Sequence, residues 1–225
     1  MELNSLTAIS PVDGRYRQQL EELAPYFSEY GLIRYRIRIE IAYFMALSEA
    51  GIFKMPKNVM AAKLRSIYED FTEDQAQQVK AIEKVTNHDV KAVEYFIKEQ
   101  LERLDAGDVL EWVHFGLTSQ DINNTAVPLL WKESIEEVFL PALLNLTAHL
   151  NKQAHSWKSI PMLARTHGQP ASPTILGKEW MVFVERLNHQ IDLLGQIPYA
   201  AKFGGATGNF NAHVVAFPEK DWIAF

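Results

Sequence analysis

The sequence predicts an all-α protein built on long helices, and three observations support this fold class. Apolar residues recur at steps of three and four along most of the chain, which is the spacing of one helical face. No pair of alternating apolar runs around a short turn predicts a β-hairpin. The chain has 225 residues, 48% of them hydrophobic, so it can bury a sizeable core in one or two domains.

In one segment of the first half, the spacing of apolar residues fits both a strand and a helix. In residues 34–41, "RYRIRIEI", apolar and charged residues alternate as in a strand, whereas Ile37, Ile41 and Phe44 share a helical face. The surrounding stretch, residues 28–50, is long and is followed by Gly51, so its length favours a helix. Residues 1–16 are predicted to form an arm.

Four further stripes of apolar residues predict helices, and Thr72 with Gln75 predicts a capping box at the start of one of them. The two stripes in the second half resemble the seams of a helical bundle, and their excess apolar surface predicts an oligomer. The stripes are Met60, Leu64, Ile67 and Phe71; Val90, Val93, Ile97, Leu101 and Leu104; Phe139, Leu143, Leu146 and Leu150; and Trp180, Val184, Leu187, Ile191 and Leu194.

Composition and charge exclude several classes of protein. The net charge is −6, without a run of basic residues, which argues against nucleic acid or an anionic membrane as partner. Cysteine does not occur in the sequence, which excludes disulfides and thiolate zinc sites and fits a cytoplasmic location. No secretory leader or long apolar span is recognisable. The seven histidines form no known metal-binding pattern, so we predict no metal site.

Two short stretches combine turn residues with side chains that bind anions. In "SPVDGRY", residues 10–16, Arg15 and Tyr16 follow an Asp-Gly turn; they form an anion contact or an ordinary surface turn. In "TNHDV", residues 86–90, Asn87 or Asp89 caps a helix, or His88 faces an anionic ligand at the helix start. The local sequence favours an ordinary surface turn at the first stretch and a helix cap at the second.

A third stretch, "HFGLTSQDINN" at residues 114–124, places hydroxyl and backbone N–H groups at a predicted helix start. Thr118, Ser119 and Asp121 form a cradle for a carboxylate or phosphate, or they simply cap the helix. His114 is predicted to be a hydrogen-bonded structural histidine. The glycines of "GGATGNFNAH", residues 204–213, are predicted to permit positive φ or close backbone approach.

The fourth stretch, "ARTHGQPASP" at residues 164–173, places a histidine in a short break rich in proline. Each proline favours an extended conformation in the residue before it. We expect a helix from about Thr174, with Ser172 as its cap and Pro173 at its first position. His167 and Gln169 would then sit on a rigid edge at the helix end. His167 is either a proton donor or an exposed loop histidine.

In this order, the motifs resemble the fumarase/aspartase superfamily of lyases. "GLTSQDINN" resembles its first conserved region, and "ARTHGQPASPTILGKEW" resembles its second. "SPVDGRY", "TNHDVKAVEYF" and "GGATGNFNAH" are similar to the branch that acts on a succinylated purine nucleotide. The resemblance covers essentially the whole chain. It does not include the third region, a flexible serine- and glycine-rich loop, so the chain is expected to be an N-terminal half.

The resemblance implies a domain organisation and an assembly. Residues 1–111 are expected to form an N-terminal helical domain, and residues 112–225 the first, incomplete part of a central long-helix bundle. The superfamily forms homotetramers in which residues from three subunits build each active site. It uses neither a metal nor an organic cofactor, and its substrates in this branch are small nucleotides.

The resemblance also implies roles for particular residues. The reaction is a β-elimination that cleaves a C–N bond and releases fumarate. His167 corresponds to the general acid, and His88 assists binding or proton transfer; the general base is a serine of the third region. The substrate-binding positions are Arg15 and Tyr16 for the nucleotide; Asn87, His88 and Asp89; Thr118 and Ser119 for a carboxylate; and Gln169 and Lys91.

Two alternatives remain at this stage. The first is another lyase of the superfamily, such as argininosuccinate lyase, or a carboxymuconate cycloisomerase. The second is a helical scaffold without catalysis.

Overall fold

A computed structural model describes residues 9–225; residues 1–8 of the predicted arm lie outside the described residues. The described residues form nine α-helices and one β-hairpin, with a π-helical stretch, Ile135–Phe139, between α6 and α7. In chain order the elements are α1 Ala24–Phe27, α2 Glu29–Glu49, α3 Ala61–Glu69, α4 Glu73–Thr86, α5 Asp89–Arg103, α6 Ser119–Ser134, α7 Leu140–Ser156, β1 Pro161–Thr166, β2 Gln169–Ile175, α8 Leu176–Gly195 and α9 Asn211–Ala216. The predicted all-α class is confirmed.

The chain divides into two compact units. Of the described residues, the first contains 9–132 and 200–225, and the second contains 133–199. These bounds differ from those of the predicted domains, 1–111 and 112–225. Because that domain boundary concerns the bundle of a longer protein, it stays a prediction.

Helix α2 is the central element of the first unit. Its N-cap is Ser28, whose Oγ accepts the backbone N–H of Gly31 at 3.1 Å. Ile33 and Ile37 are buried in the main core, whereas Tyr35 and Ile39 are buried in a second cluster. Residues two apart point to nearly opposite sides of a helix. The strand-like alternation of this segment therefore belongs to a helix that is buried on both sides.

Helices α3, α4 and α5 complete the main core of the first unit. The predicted capping box is present at the start of α4, where Thr72 accepts the N–H of Gln75 and the Gln75 side chain accepts the N–H of Thr72. Along α5, Val93, Phe96 and Ile97 are fully buried. Helices α3 and α5 confirm the helices predicted from apolar spacing, but Met60, the first residue of the α3 stripe, is exposed.

The second unit consists of α7, α8 and the hairpin between them. The two strands are antiparallel, and Thr166 pairs with Gln169, so His167 and Gly168 alone form the loop. Their φ angles are 50° and 78°, as in the type I′ turn that suits the twist of a hairpin. Proline is tolerated here because each strand of a two-stranded ribbon has an unpaired edge.

The hairpin corrects the predicted start of the following helix. α8 begins at Leu176 rather than near Thr174. Pro173 pairs with Leu163 in the ribbon, so it is not at the first helical position, and Ser172 lies in β2 and caps no helix. The extended conformation imposed before each proline continues across seven residues and forms a strand.

Apolar side chains on the helices of the second unit remain exposed within this chain. Only Gly177 and Val184 of α8 are buried, whereas Phe139, Leu146 and Phe183 are about half exposed. Among residues 9–225, no helix has both the length and the apolar character needed to cross a bilayer.

The contact between α7 and α8 generates a stability prediction. A Cβ at Gly177 would collide with the backbone carbonyl oxygen of Ala154, whereas a Cβ at Gly195 would meet no atom within 4 Å. We expect Gly177→Ala to reduce the free energy of unfolding by about 1–3 kcal/mol, as overpacking does. The matched variant Gly195→Ala should be neutral or slightly stabilising. Urea denaturation followed by circular dichroism measures both; equal effects would contradict this packing.

Candidate active site

The junction between α4 and α5 carries the predicted substrate segment. Asn87 ends α4 in a left-handed conformation, with φ 51°, and His88 follows with an extended backbone. The Nδ1 atom of His88 accepts the backbone N–H of Lys91 at 3.1 Å, so His88 is the N-cap of α5. Of the two caps that the sequence allowed, Asn87 does cap a helix, at the C-terminus of α4, whereas Asp89 is not the N-cap of α5. Since Nδ1 is an acceptor, the neutral ring carries its hydrogen on Nε2.

His88 joins two of the predicted site segments. Its Nε2 atom lies 3.3 Å from Oγ of Ser119, the first residue of α6. With the hydrogen on Nε2, the imidazole donates and the hydroxyl accepts. The His88 side chain is 48% exposed, so a ligand has access to it. The segments 86–90 and 114–124 therefore meet within this chain at the His88–Ser119 contact.

Asp89 is held as a carboxylate by its surroundings. Its Oδ1 accepts the N–H of Val90 at 2.8 Å, and its Oδ2 accepts a hydrogen bond from Nη2 of Arg36 at 2.7 Å. Partial burial alone would raise the pKa of Asp89, but the Val90 hydrogen bond and the Arg36 guanidinium outweigh it and lower the pKa. Asp89 thus has partners within this chain, and its contact with substrate stays a prediction.

A surface cleft of about 540 Å³ adjoins this segment. Lys80, which lies on its wall, is paired with Glu29 and Glu83. The cleft therefore offers groups of both charges, not a uniformly positive surface. Its lining residues are Lys80, Glu83, Lys84, Asn87, His88 and Asp89.

Asp121 occupies the anion cradle predicted at the start of α6. Its fully buried carboxylate accepts the backbone N–H of Thr118 at 2.8 Å and of Gly205 at 3.0 Å, and pairs with the ammonium of Lys202 at 2.9 Å. The N–H of Thr118 thus binds Asp121, and the interpretation of this group as a ligand donor is wrong. A substrate contact through the Thr118 side chain stays a prediction. Gly205 has φ 83°, as expected for this glycine-dense segment.

A buried cluster of charged side chains lies behind Lys91. The Lys91 ammonium binds Glu94 Oε2 at 2.5 Å, and His114 lies between the Glu94 and Glu40 carboxylates. His114 Nδ1 is 2.6 Å from Glu40 Oε1, which confirms a partnered, structural histidine. Lys91 therefore faces Glu94 in this chain, and its contact with substrate remains a prediction.

Arg15 and Tyr16 lie in an exposed turn. The N–H of Tyr16 donates to the carbonyl of Pro11 at 2.9 Å, and the Arg15 guanidinium lies over the Tyr16 ring, 5.4 Å from its centroid. Among the described residues, no hydrogen bond or ion pair joins these two side chains to His88 or Ser119. Their role in nucleotide binding stays a prediction.

His167 and Gln169 belong to the second unit. Both are exposed, and His167 is the first residue of the hairpin loop. The expectation of a rigid edge at a helix end is corrected to the tip of a tight β-turn. A non-glycine residue with positive φ is uncommon, although histidine is among the residues enriched there. The imidazole is thus displayed to solvent by a fixed backbone.

The sequence analysis missed several residues that support the site. Arg36 and Glu40 carry buried charge from α2, and Asn123 and Lys202 bind Arg36 and Asp121. A signal for the first two existed. They are charged residues four apart with apolar neighbours on both sides, which places some of the charges of this helix in the interior, although Arg34 and Arg38 share the pattern and are only half-buried. Asn123 and Lys202 carried no comparable signal, because single polar residues in loops and helices are common.

Comparison with known proteins assigns the chain to a class. The sequence model of the lyase family matches residues 14–224, and the chain belongs to this family. Over its whole length it is 56% identical to adenylosuccinate lyase of Dictyostelium discoideum and 43% identical to adenylosuccinate lyase of Escherichia coli strain K12. Each match covers 50% of the relative, so the chain spans about half the length of the curated relatives it matches.

Solved structures show the same fold. A fumarate lyase from Mesorhizobium sp. BNC1 has a TM-score of 0.69 at 21% identity, over 87% of this chain and 44% of that chain. The β-carboxy-cis,cis-muconate cycloisomerase of Acinetobacter calcoaceticus has the same TM-score and identity, over 88% and 46%. At this identity the likeness establishes the fold alone.

The His114 cluster generates a prediction of pH dependence. Burial alone would lower the pKa of His114, but the hydrogen bond with Glu40 and the charges of Glu40 and Glu94 outweigh it and raise the pKa above its ordinary value of 6.5. Burial also raises the pKa of Glu40. A group with a raised folded-state pKa stabilises the fold below its unfolded pKa, and this contribution is lost as pH rises through the folded pKa.

We therefore expect the melting temperature of the chain to fall as pH rises from about 6.5 into the alkaline range. His114→Gln should lower the melting temperature near neutral pH and weaken this dependence. The exposed His149, whose Nδ1 atom bonds to the Asn145 carbonyl, provides the control His149→Gln. Thermal melts at several pH values measure the effect. A wild-type slope retained by His114→Gln would contradict the assignment.

Proposed function

We propose that the protein containing this chain is an adenylosuccinate lyase. It would eliminate fumarate from adenylosuccinate, giving AMP, and from the succinylated aminoimidazole carboxamide ribotide of purine synthesis. The observation that carries the proposal is the match of the whole chain, at 56% and 43% identity, to two proteins of that name. The meeting of His88 with Ser119 gives it a site.

The proposed reaction sets demands that particular residues can meet. The bond between the succinyl carbon and the leaving nitrogen, an amino nitrogen in one substrate and a carboxamide nitrogen in the other, breaks, and the carbon–carbon double bond of fumarate forms. A general base takes a weakly acidic proton from carbon, and a general acid protonates the departing nitrogen. Donors must also stabilise the charge that develops on the carboxylate beside the reacting carbon.

We assign the general acid to His167. It is exposed at the tip of a two-residue loop, where its imidazole is free to donate a proton to a ligand. His88 and Ser119 would bind a substrate carboxylate with Thr118, while Asn87, Asp89 and Lys91 would contact the rest of the substrate. Arg15 and Tyr16 would hold the nucleotide, and Gln169 would support His167.

The general base is assigned to a serine outside residues 1–225. The exposed apolar side chains of α7 and α8, including Leu146 and Phe183, support a homotetramer in which subunits share active sites. A cysteine-free chain supports a cytoplasmic location.

Activity tests the proposal. Residues 1–225 alone should have negligible lyase activity, since they hold only one partner of the proposed acid–base pair. A fusion of residues 1–225 to the second half of the Dictyostelium relative should consume adenylosuccinate and release fumarate, with argininosuccinate as the control substrate. A fusion that folds and assembles by light scattering but cleaves only argininosuccinate would overturn the proposal. Full turnover by residues 1–225 would overturn the placement of the base.

The role of His167 generates a further prediction. In the active fusion, His167→Ala should lower kcat by about 10²-fold or more, within the range of general acid–base catalysis. KM should change less, because the lost interaction acts mainly in the transition state. His155→Ala, at an exposed histidine that bonds to the Asn151 carbonyl, is the matched control. A change in KM alone would make His167 a binding residue.

A further inference from the structure

Arg36 connects both segments of the candidate site from inside the first unit. It lies on α2 and is 6% exposed. Its Nη2 atom donates to Asp89 Oδ2 at 2.7 Å, and its Nε atom donates to Asn123 Oδ1 at 2.9 Å. Asp89 follows His88 directly, and Asn123 lies one helical turn after Ser119 on α6. One buried guanidinium thus binds the neighbour of each residue in the His88–Ser119 pair.

The chemistry of arginine suits this double contact. The guanidinium is planar and presents donors in fixed directions, so two acceptors bound to it are fixed relative to one another. A lysine ammonium is a single point charge on a flexible stem and lacks this fixed arrangement. The charge is also compensated, because the pKa of Asp89 is held low and its carboxylate stays ionised beside Arg36. Removal of either partner would leave a buried charge or polar group less well satisfied.

We call the two hydrogen bonds of Arg36, to Asp89 and to Asn123, the clamp. The clamp constrains the distance between His88 and Ser119. The two residues lie on different helices, and the hydrogen bond between them is long, at 3.3 Å, and partly exposed. Such a bond does not fix two helix ends by itself, because water competes for both groups. The contacts of Arg36 are shorter and only partly exposed, so they supply the constraint that the exposed pair lacks.

We propose that Arg36 is a positioning residue for the lyase reaction: it sets the separation of the His88 imidazole and the Ser119 hydroxyl without touching the substrate. The inference rests on the proposed function. Misplacement of a binding group by about 1 Å costs as much as 10²-fold in rate. The loss of one arm of the clamp should therefore reduce activity while the fold persists.

The test uses the active fusion and compares two arginines of the same helix. Arg36→Lys should lower kcat/KM by about 10-fold or more, with a melting temperature close to that of the wild type. Arg34 lies two residues away and donates from Nε to the Tyr68 carbonyl at 3.1 Å, so Arg34→Lys should retain wild-type kcat/KM. Equal activity of the two variants would overturn the inference.

A double-mutant cycle separates positioning from general loss of structure. If Arg36 acts through the His88–Ser119 pair, Arg36→Lys should add little to the loss that Ser119→Ala causes. If the effects on kcat/KM multiply, Arg36 acts elsewhere and the inference fails.

Asn123 provides a second route if Arg36→Lys unfolds the protein. Asn123→Leu removes one arm and leaves the Arg36–Asp89 ion pair in place, and it should lower kcat/KM as Arg36→Lys does. Asn123→Asp keeps an acceptor oxygen and should restore most of the activity. Wild-type activity in Asn123→Leu would overturn the inference alone, whereas a wild-type fusion that folds and does not cleave adenylosuccinate would overturn the proposed function as well.

Discussion

The structure of the first unit depends on a constraint set by α2, which is buried on both sides and carries charge inside. Arg36 and Glu40 cannot remain unpaired there, because an isolated charge in an apolar interior is costly. Arg36 finds Asp89 and Asn123, and Glu40 finds His114. The partners lie in or beside the segments proposed to bind substrate. The need to neutralise two charges thus couples the core helix to the surface where chemistry is proposed.

The hydrogen bonds of His88 limit what this residue can do. A general base needs a free lone pair, and Nδ1 uses its lone pair to accept the Lys91 N–H. Nε2 then carries the hydrogen and donates to Ser119. As long as α5 keeps its cap, His88 acts as a donor. This arrangement favours a role in binding an anionic group over a role in removing a proton.

The helices were predictable because their signals are local and repeated. The stripes of α3 and α5 and the capping box at Thr72 depend on residues only three or four apart. The hairpin was missed because proline and glycine, taken as breaks, here form a strand and a two-residue loop. The cap at His88 was missed because histidine is not a usual capping residue.

The candidate site was predictable only as separate segments. The motifs located Ser119 and His88, but the contact between them depends on packing across many residues of sequence. The same holds for Asp121, whose carboxylate binds a backbone group 84 residues further along the chain. No regular spacing of residues in the sequence indicates which distant group will pair with a buried charge, so one sequence alone does not identify these partners.

The two-residue loop at His167 has an evolutionary consequence. Side chains alternate between the faces of a ribbon, and the loop length fixes which residues face each other. A single residue inserted or deleted in the loop between Thr166 and Gln169 would change the loop length and the pairing of the residues beside His167. Substitutions keep the register. Homologous chains should therefore differ in this stretch by amino-acid substitutions, while its length stays constant.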